Sequence, residues 1–187
     1  MAKKTYQLPK YRYLTEKAGN LYSFVTERSI KITREKSRVG LILPLSAFCT
    51  QRMEIMNNYI LKNSKYMFVS YYGFRPSKLF DGANRTIGIC LFNKKCNDCT
   101  NKPVLYSTTY KKWASEYRNF LFENVVYYNL KQLYLNFQFP KISLPLEDNI
   151  LQKLFSKKET ISYYCSRTRN ANCIYYRNVG GLYWKII

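Results

Sequence analysis

"YYGFRPSKLFDGANRTIGICLF", residues 71–92, is the stretch on which the fold turns. The apolar, aromatic run "KYMFVSYYG" (65–73) leads into it, and "RTIGICLFNKK" (85–95) leads out. Both read as strands. The connection from Tyr72 to Arg85 is about twelve residues long and holds Pro76 and Gly82. That length is marginal for a helical crossover, so the two strands are expected to run antiparallel as a long-looped hairpin. The loop carries Arg75, Lys78 and Arg85 together with Phe80, an aromatic that no neighbouring period places in a core. Either Phe80 plugs the underside of the loop beside Leu79, or it is kept outside for a ligand.

Upstream, "AGNLYSFVTERSIKIT" (18–33) predicts a helix with Asn20 as N-cap. Leu21, Phe24, Val25, Arg28 and Ile32 share one face by spacing, which is expected to be the packing face. "RVGLILPLSAF" (38–48) is a continuous apolar run broken by Pro44, expected as a strand buried on both sides in a parallel sheet. "TQRMEIMNNYILKN" (50–63) predicts a second helix packing through Met53, Met56 and Tyr59 or Ile60. Helix, strand, helix, strand, strand is the order of an α/β fold ending in a hairpin.

After Lys95 the composition changes, which divides the chain into residues 1–95 and 96–187. "VLYSTTYKKWASEYRNFLF" (104–122) reads as a strand followed by a helix, and "FPKISLPLEDN" (139–149) as turns before a helix in "LEDNILQKLFSKK" (146–158). The tail from Thr160 suggests two strands around a polar loop, making the second part an α+β segment.

Charge narrows the partners. Lys and Arg total 31 against 11 acidic residues, a net charge of +20. Residues 1–40 hold ten cations against three acids, and 150–187 hold seven against one, whereas 96–148 is nearly balanced. An uneven basic excess of this size favours a polyanion, with DNA the expected partner. The plainer explanation is solubility charge in a chain whose Lys, Asn, Tyr and Ile are inflated together. No helix pairs a basic face with a strong apolar one, and no apolar run is long enough to span a bilayer, so no membrane role is expected. "MAKKTYQLPKYRY" has no apolar core behind its basic residues, so no secretory signal is expected and the location is expected to be cytoplasmic.

The chain has no histidine, which excludes Ser-His-Asp and Cys-His nucleophile systems and imidazole bases. Its six cysteines are expected as thiols. Cys96 and Cys99 form a CxxC pair, but Cys165 and Cys173 are eight apart and complete no closed zinc site, so no metal is expected.

Three segments carry a family likeness: "GNLYSFVTERSI", "RVGLILPLSAF" and above all "YGFRPSKLFDGANR". They resemble the gamma-class adenine-specific (N6) DNA methyltransferases of restriction–modification systems, especially the large fused type II enzymes. The late "IYYRNVGGLYWKI" is similar to the region leading into target recognition in that family, and the resemblance covers about residues 13–187. It implies the outer strands of a partial Rossmann-like methyltransferase sheet with its terminal antiparallel hairpin, followed by an extension toward target recognition. The family binds S-adenosylmethionine at a Gly-rich F-x-G-x-G turn and uses an Asn-Pro-Pro-Tyr motif. Neither occurs here, and only twenty residues precede the "LYSF" helix. The expectation is therefore the C-terminal half of a catalytic domain, without a catalytic residue or cofactor site of its own and inactive alone. Either a separately encoded N-terminal half completes it and covers the apolar strand "RVGLILPL", or the chain is a decayed gene fragment. In the resembling family an aromatic at the position of Phe80 stacks on a flipped adenine, and Arg75, Lys78 and Arg85 would hold phosphates beside it. The alternatives are a non-catalytic DNA-binding module and a protein-interaction subunit.

Overall fold

The computed structural model describes residues 13–96, 102–130 and 139–156. The expected tail strands, Cys99 of the CxxC pair, Cys165 and Cys173 lie outside them. The chain divides into two compact units, Met1–Ser143 and Leu144–Ile187.

The first unit is mixed α/β. Helix α1 (Leu21–Ile32) leads to β1 (Arg38–Pro44), a short helix α2 (Ser46–Cys49), helix α3 (Glu54–Lys62), then β2 (Ser64–Tyr72), β3 (Ile87–Lys94), β4 (Val104–Lys111) and β5 (Tyr128–Leu130). The sheet order is β1-β3-β2-β4-β5. β2 and β3 are antiparallel, as the loop length predicts, with Tyr71 opposite Gly88 and Tyr72 opposite Ile87. Among the described strands only β2 and β4 run parallel, and the same sheet thus continues beyond the compositional change at Lys95.

β1 departs from expectation. It pairs antiparallel with β3, from Arg38 opposite Asn93 to Pro44 opposite Ile87, and lies at the edge of the sheet. Of its residues only Leu43 is buried, while Ile42 is 54% exposed, so the strand is not covered on both sides. The reason is topological: β3 inserts between β1 and β2, leaving the other edge of β1 without a strand among the described residues.

Helix α1 forms where predicted, with Asn20 at its N-cap in extended backbone geometry but without a capping hydrogen bond from its side chain. Its packing face, however, is the opposite of the one the apolar spacing suggests. Ser23, Thr26, Glu27 and Ile30 are buried, whereas Leu21, Val25 and Ile32 are exposed. The buried carboxylate of Glu27 explains the rotation. It accepts from the backbone N–H of Leu14 (3.2 Å) and Thr15 (2.9 Å) and from Thr15 Oγ1 (2.9 Å), satisfying the first turn of the 3-10 helix Leu14–Ala18. Lys31 Nζ lies 2.7 Å from Glu27 Oε1. Once inside, this carboxylate cannot lose these partners without leaving a buried charge unpaired, which holds this face of α1 inward. At the other end, Lys94 of β3 donates from Nζ to the carbonyls of Ile30 (2.6 Å) and Thr33, closing the last turn of α1 with a cation where helix carbonyls lack partners.

One sheet face packs on Phe48, whose ring lies 6.2 Å from those of Tyr71 and Phe139. Phe139 N–H donates to the Phe48 carbonyl (3.0 Å), and Ser107 Oγ donates to the Pro140 carbonyl (2.5 Å), fixing that segment to the sheet. In α3, Met56 and Ile60 are buried with the preceding Met53, as the sequence spacing predicts. The opposite face of the sheet carries a smaller cluster of Tyr72, Trp113 and Leu121, with Leu79 and Ile89 against it. That cluster underlies the loop between β2 and β3.

The second unit contains helix α4 (Pro145–Ser156), where the "LEDNILQKLF" pattern predicts one. Glu147 Oε2 accepts from the Leu144 N–H at 3.1 Å, so a carboxylate meets the helix start. No helix among the described residues is long and apolar enough to cross a membrane.

Candidate nucleic-acid interface

The loop between β2 and β3 is built outward from the Tyr72–Trp113–Leu121 cluster. Gly73 N–H donates to the Lys111 carbonyl (2.8 Å), and Ser77 N–H donates to the Trp113 carbonyl (3.2 Å). Arg118 Nη2 donates to the Lys78 carbonyl (3.0 Å), while its guanidinium lies 5.6 Å from the centroid of the Trp113 ring. These bonds tie the loop to the segment that follows β4, so its backbone is anchored although it is long. The Arg75-Pro76 peptide is cis. Gly82, at φ +81, sits in the left-handed region with open space around it and turns the chain back toward Arg85.

The two readings of Phe80 separate here. Leu79 packs on the underlying cluster, whereas Phe80 is 44% exposed. The plug is Leu79, and the Phe80 ring remains available to solvent. Arg75, Lys78 and Arg85 are also exposed, all on this one loop. The Arg75 guanidinium lies 5.3 Å from the Phe74 ring centroid, which restrains one of the three cations. No ion pair among the described residues neutralises any of the three.

The segment "KKWASEYRNFLF" (111–122), expected as the end of a strand and a helix with no functional residue assigned to it, forms the other wall. Instead of the expected helix it forms the short 3-10 helix Ser115–Phe120. Tyr117, Phe120 and Phe122 are more than half exposed. Phe122 meets Tyr72 edge to face at 5.8 Å. Lys111 Nζ donates to the Asn124 carbonyl (2.6 Å), and burial lowers its pKa. Trp113 is buried and its indole N–H has no acceptor among the described residues. The signal in the sequence was the interleaving of cations with aromatics, a composition suited to a polyanion that also offers flat faces.

Chemically the surface offers exposed rings and cations that can bind and orient a ligand. The described cysteines are thiols: Cys90 is fully buried, and burial pushes its pKa well up, away from thiolate chemistry. No group of three metal-ligating side chains occurs among the described residues.

No family model matches the chain, and no curated protein matches it. Among solved structures it is similar to a nuclease-deletion mutant of the Type ISP restriction–modification enzyme LlaGI in complex with a DNA substrate mimic. The sequences are 13% identical, with a TM-score of 0.46 over 64% of this chain. The match spans only 12% of that enzyme's length.

Proposed function

We propose that this chain is the DNA-contacting, base-holding part of an adenine-N6 DNA methyltransferase of a restriction–modification system, which supplies a stacking surface and not the methyl-transfer chemistry. The observation that carries this reading is the division of labour between neighbours in the loop: Leu79 packs inward while Phe80 stays 44% exposed. Support comes also from the net charge of +20 and from "YGFRPSKLFDGANR", which resembles the base-stacking loop of that family. A base within a duplex is shielded by its neighbours, so an enzyme acting on it must hold it extruded, and an exposed ring provides the stacking face. Arg75, Lys78 and Arg85 then serve as phosphate contacts around the extruded nucleotide.

The sequence carries neither the Gly-rich F-x-G-x-G turn nor the Asn-Pro-Pro-Tyr motif of that family. The reading therefore assigns donor binding and catalysis to a separate N-terminal half. The test is duplex binding as a function of salt. Log affinity should fall linearly with log salt concentration, as phosphate contacts release counterions. Binding without such a slope removes the proposal.

A second reading, a protein-interaction subunit, is favoured by a different observation. The outer edge of β1 is unpaired among the described residues, and Ile42 and Leu91 beside it are 54% and 47% exposed. An open edge with apolar neighbours is a template for another polypeptide strand.

A further inference from the structure

The segment after β4 adds a surface that the Phe80 loop alone does not account for. In the 3-10 helix Ser115–Phe120, Tyr117 and Phe120 are three residues apart. Three residues complete one 3-10 turn, so the two side chains project from the same side, separated along the axis by about 6 Å. That is close to twice the ~3.4 Å rise per nucleotide in a stacked strand. The rings are 60% and 56% exposed. Rings this exposed bury little apolar area and so add little to the stability of the fold.

Their surroundings identify the occupant. Arg118, on the same turn, reaches the Lys78 carbonyl and so joins this helix to the Phe80 loop. The two joined segments carry Arg75, Lys78, Arg85, Lys111, Lys112 and Arg118 against Asp81, Glu116 and Glu123. The balance is basic, and the whole chain has a net charge of +20, which disfavours a second copy of itself or a basic peptide. Exposed rings within a cationic surface suit a ligand that presents flat bases on a phosphate chain.

We propose that Tyr117 and Phe120 form a stacking platform for an unpaired stretch of DNA strand, next to the loop that holds Phe80. The platform extends the nucleic-acid reading above and rests on it. It takes bases by their faces and is therefore indifferent to sequence. Arg118 is a positioning residue that locks the platform to the loop.

The experiment uses the full chain with three probes: an oligothymidylate of about 16 nucleotides, an abasic oligonucleotide of the same length, and a duplex. Fluorescence anisotropy should show that the wild-type chain prefers oligothymidylate to the abasic strand. The double substitution Tyr117→Ala with Phe120→Ala should weaken oligothymidylate binding by about 10–100-fold and leave abasic binding unchanged. Tyr117→Trp with Phe120→Trp should retain the preference, which separates loss of stacking from loss of fold. Equal affinity of the wild-type chain for the two strands, or no effect of the double alanine variant, overturns the platform. Duplex binding with a normal salt slope in that case leaves the Phe80 reading standing, whereas absence of binding to all three probes removes both. A platform that instead docks a protein gives the first of these outcomes.

Discussion

The Arg118 guanidinium donates to the Lys78 carbonyl at 3.0 Å, bridging 40 positions of sequence to hold the β2–β3 loop against the segment after β4. Both side chains are exposed, so the bond acts on local order more than on global stability. Removing it frees a loop whose remaining anchors are Gly73 and Ser77 N–H and the packed Leu79. Arg118→Ala should lower unfolding free energy by about 1 kcal/mol or less. In the same variant the Ser77 amide should exchange markedly faster with deuterium, while amides of β2 and β3 remain protected. Uniform acceleration across the sheet would mean that Arg118 supports the fold and not the loop.

Phe80→Ala should leave thermal stability nearly unchanged, because the ring is 44% exposed and Leu79 does the packing. Its effect should appear in binding. A mismatched base is extruded at lower cost than a paired one, so the wild-type chain should favour a mismatched duplex over a matched one. Phe80→Ala should abolish that preference and reduce matched-duplex affinity only slightly, as titrations of the two duplexes would show. A parallel loss on both would assign Phe80 to duplex contact instead of base holding.

Glu27 predicts a pH dependence. Burial alone would raise its pKa, but the Lys31 ammonium and the Thr15 and Leu14 donors outweigh it and hold the carboxyl below its ordinary value of 4.5. A carboxyl depressed on folding adds stability that is present above the unfolded value and lost as pH falls through the folded one. Glu27→Gln should therefore cost about 1–3 kcal/mol near neutrality by urea denaturation. The gap between variant and wild type should narrow once pH drops below 4.5. A gap that stays constant into acid would show that shape, not charge, is what the site requires.

Gly88 tests the packing of the sheet under α2. A Cβ at this position would stand 2.5 Å from Phe48 Cε2 and 2.7 Å from Cδ2, and Phe48 is fully buried between Tyr71 and Phe139. Gly88→Ala should destabilise the chain by about 1–3 kcal/mol through overpacking, measured as a lower denaturation midpoint. Double substitution with Phe48→Leu should recover part of the loss.

What the sequence revealed depended on the range of the interactions involved. The hairpin, helix α3 and the position of α1 follow from local periodicity and loop length, and these appeared as expected, although Asn20 makes no side-chain capping bond. The buried face of α1 did not, because Glu27 is held by donors 12 and 13 residues upstream, which a helical wheel cannot register. The exposure of β1 likewise depends on β3 entering beside it, a pairing between distant residues. At the candidate site, Phe80, Arg75, Lys78 and Arg85 lie on one loop and were legible together. Arg118 and the rings of 115–120 were not, because only tertiary packing brings them to that loop.

The edge of β1 gives the last prediction. Its backbone donors and acceptors on the outer side have no strand partner among the described residues, and Ile42 and Leu91 expose apolar surface beside them. At low salt the net charge of +20 should keep copies apart. At salt high enough to screen that repulsion, edge-to-edge pairing should make light scattering rise with protein concentration. Ile42→Lys places a charge on the strand, the device by which sheet edges resist pairing, and its side chain is already 54% exposed. The variant should therefore fold normally by circular dichroism and scatter less at the same concentration and salt. Unaltered scattering would locate self-association elsewhere and remove the observation that favours β1 as a protein-docking edge.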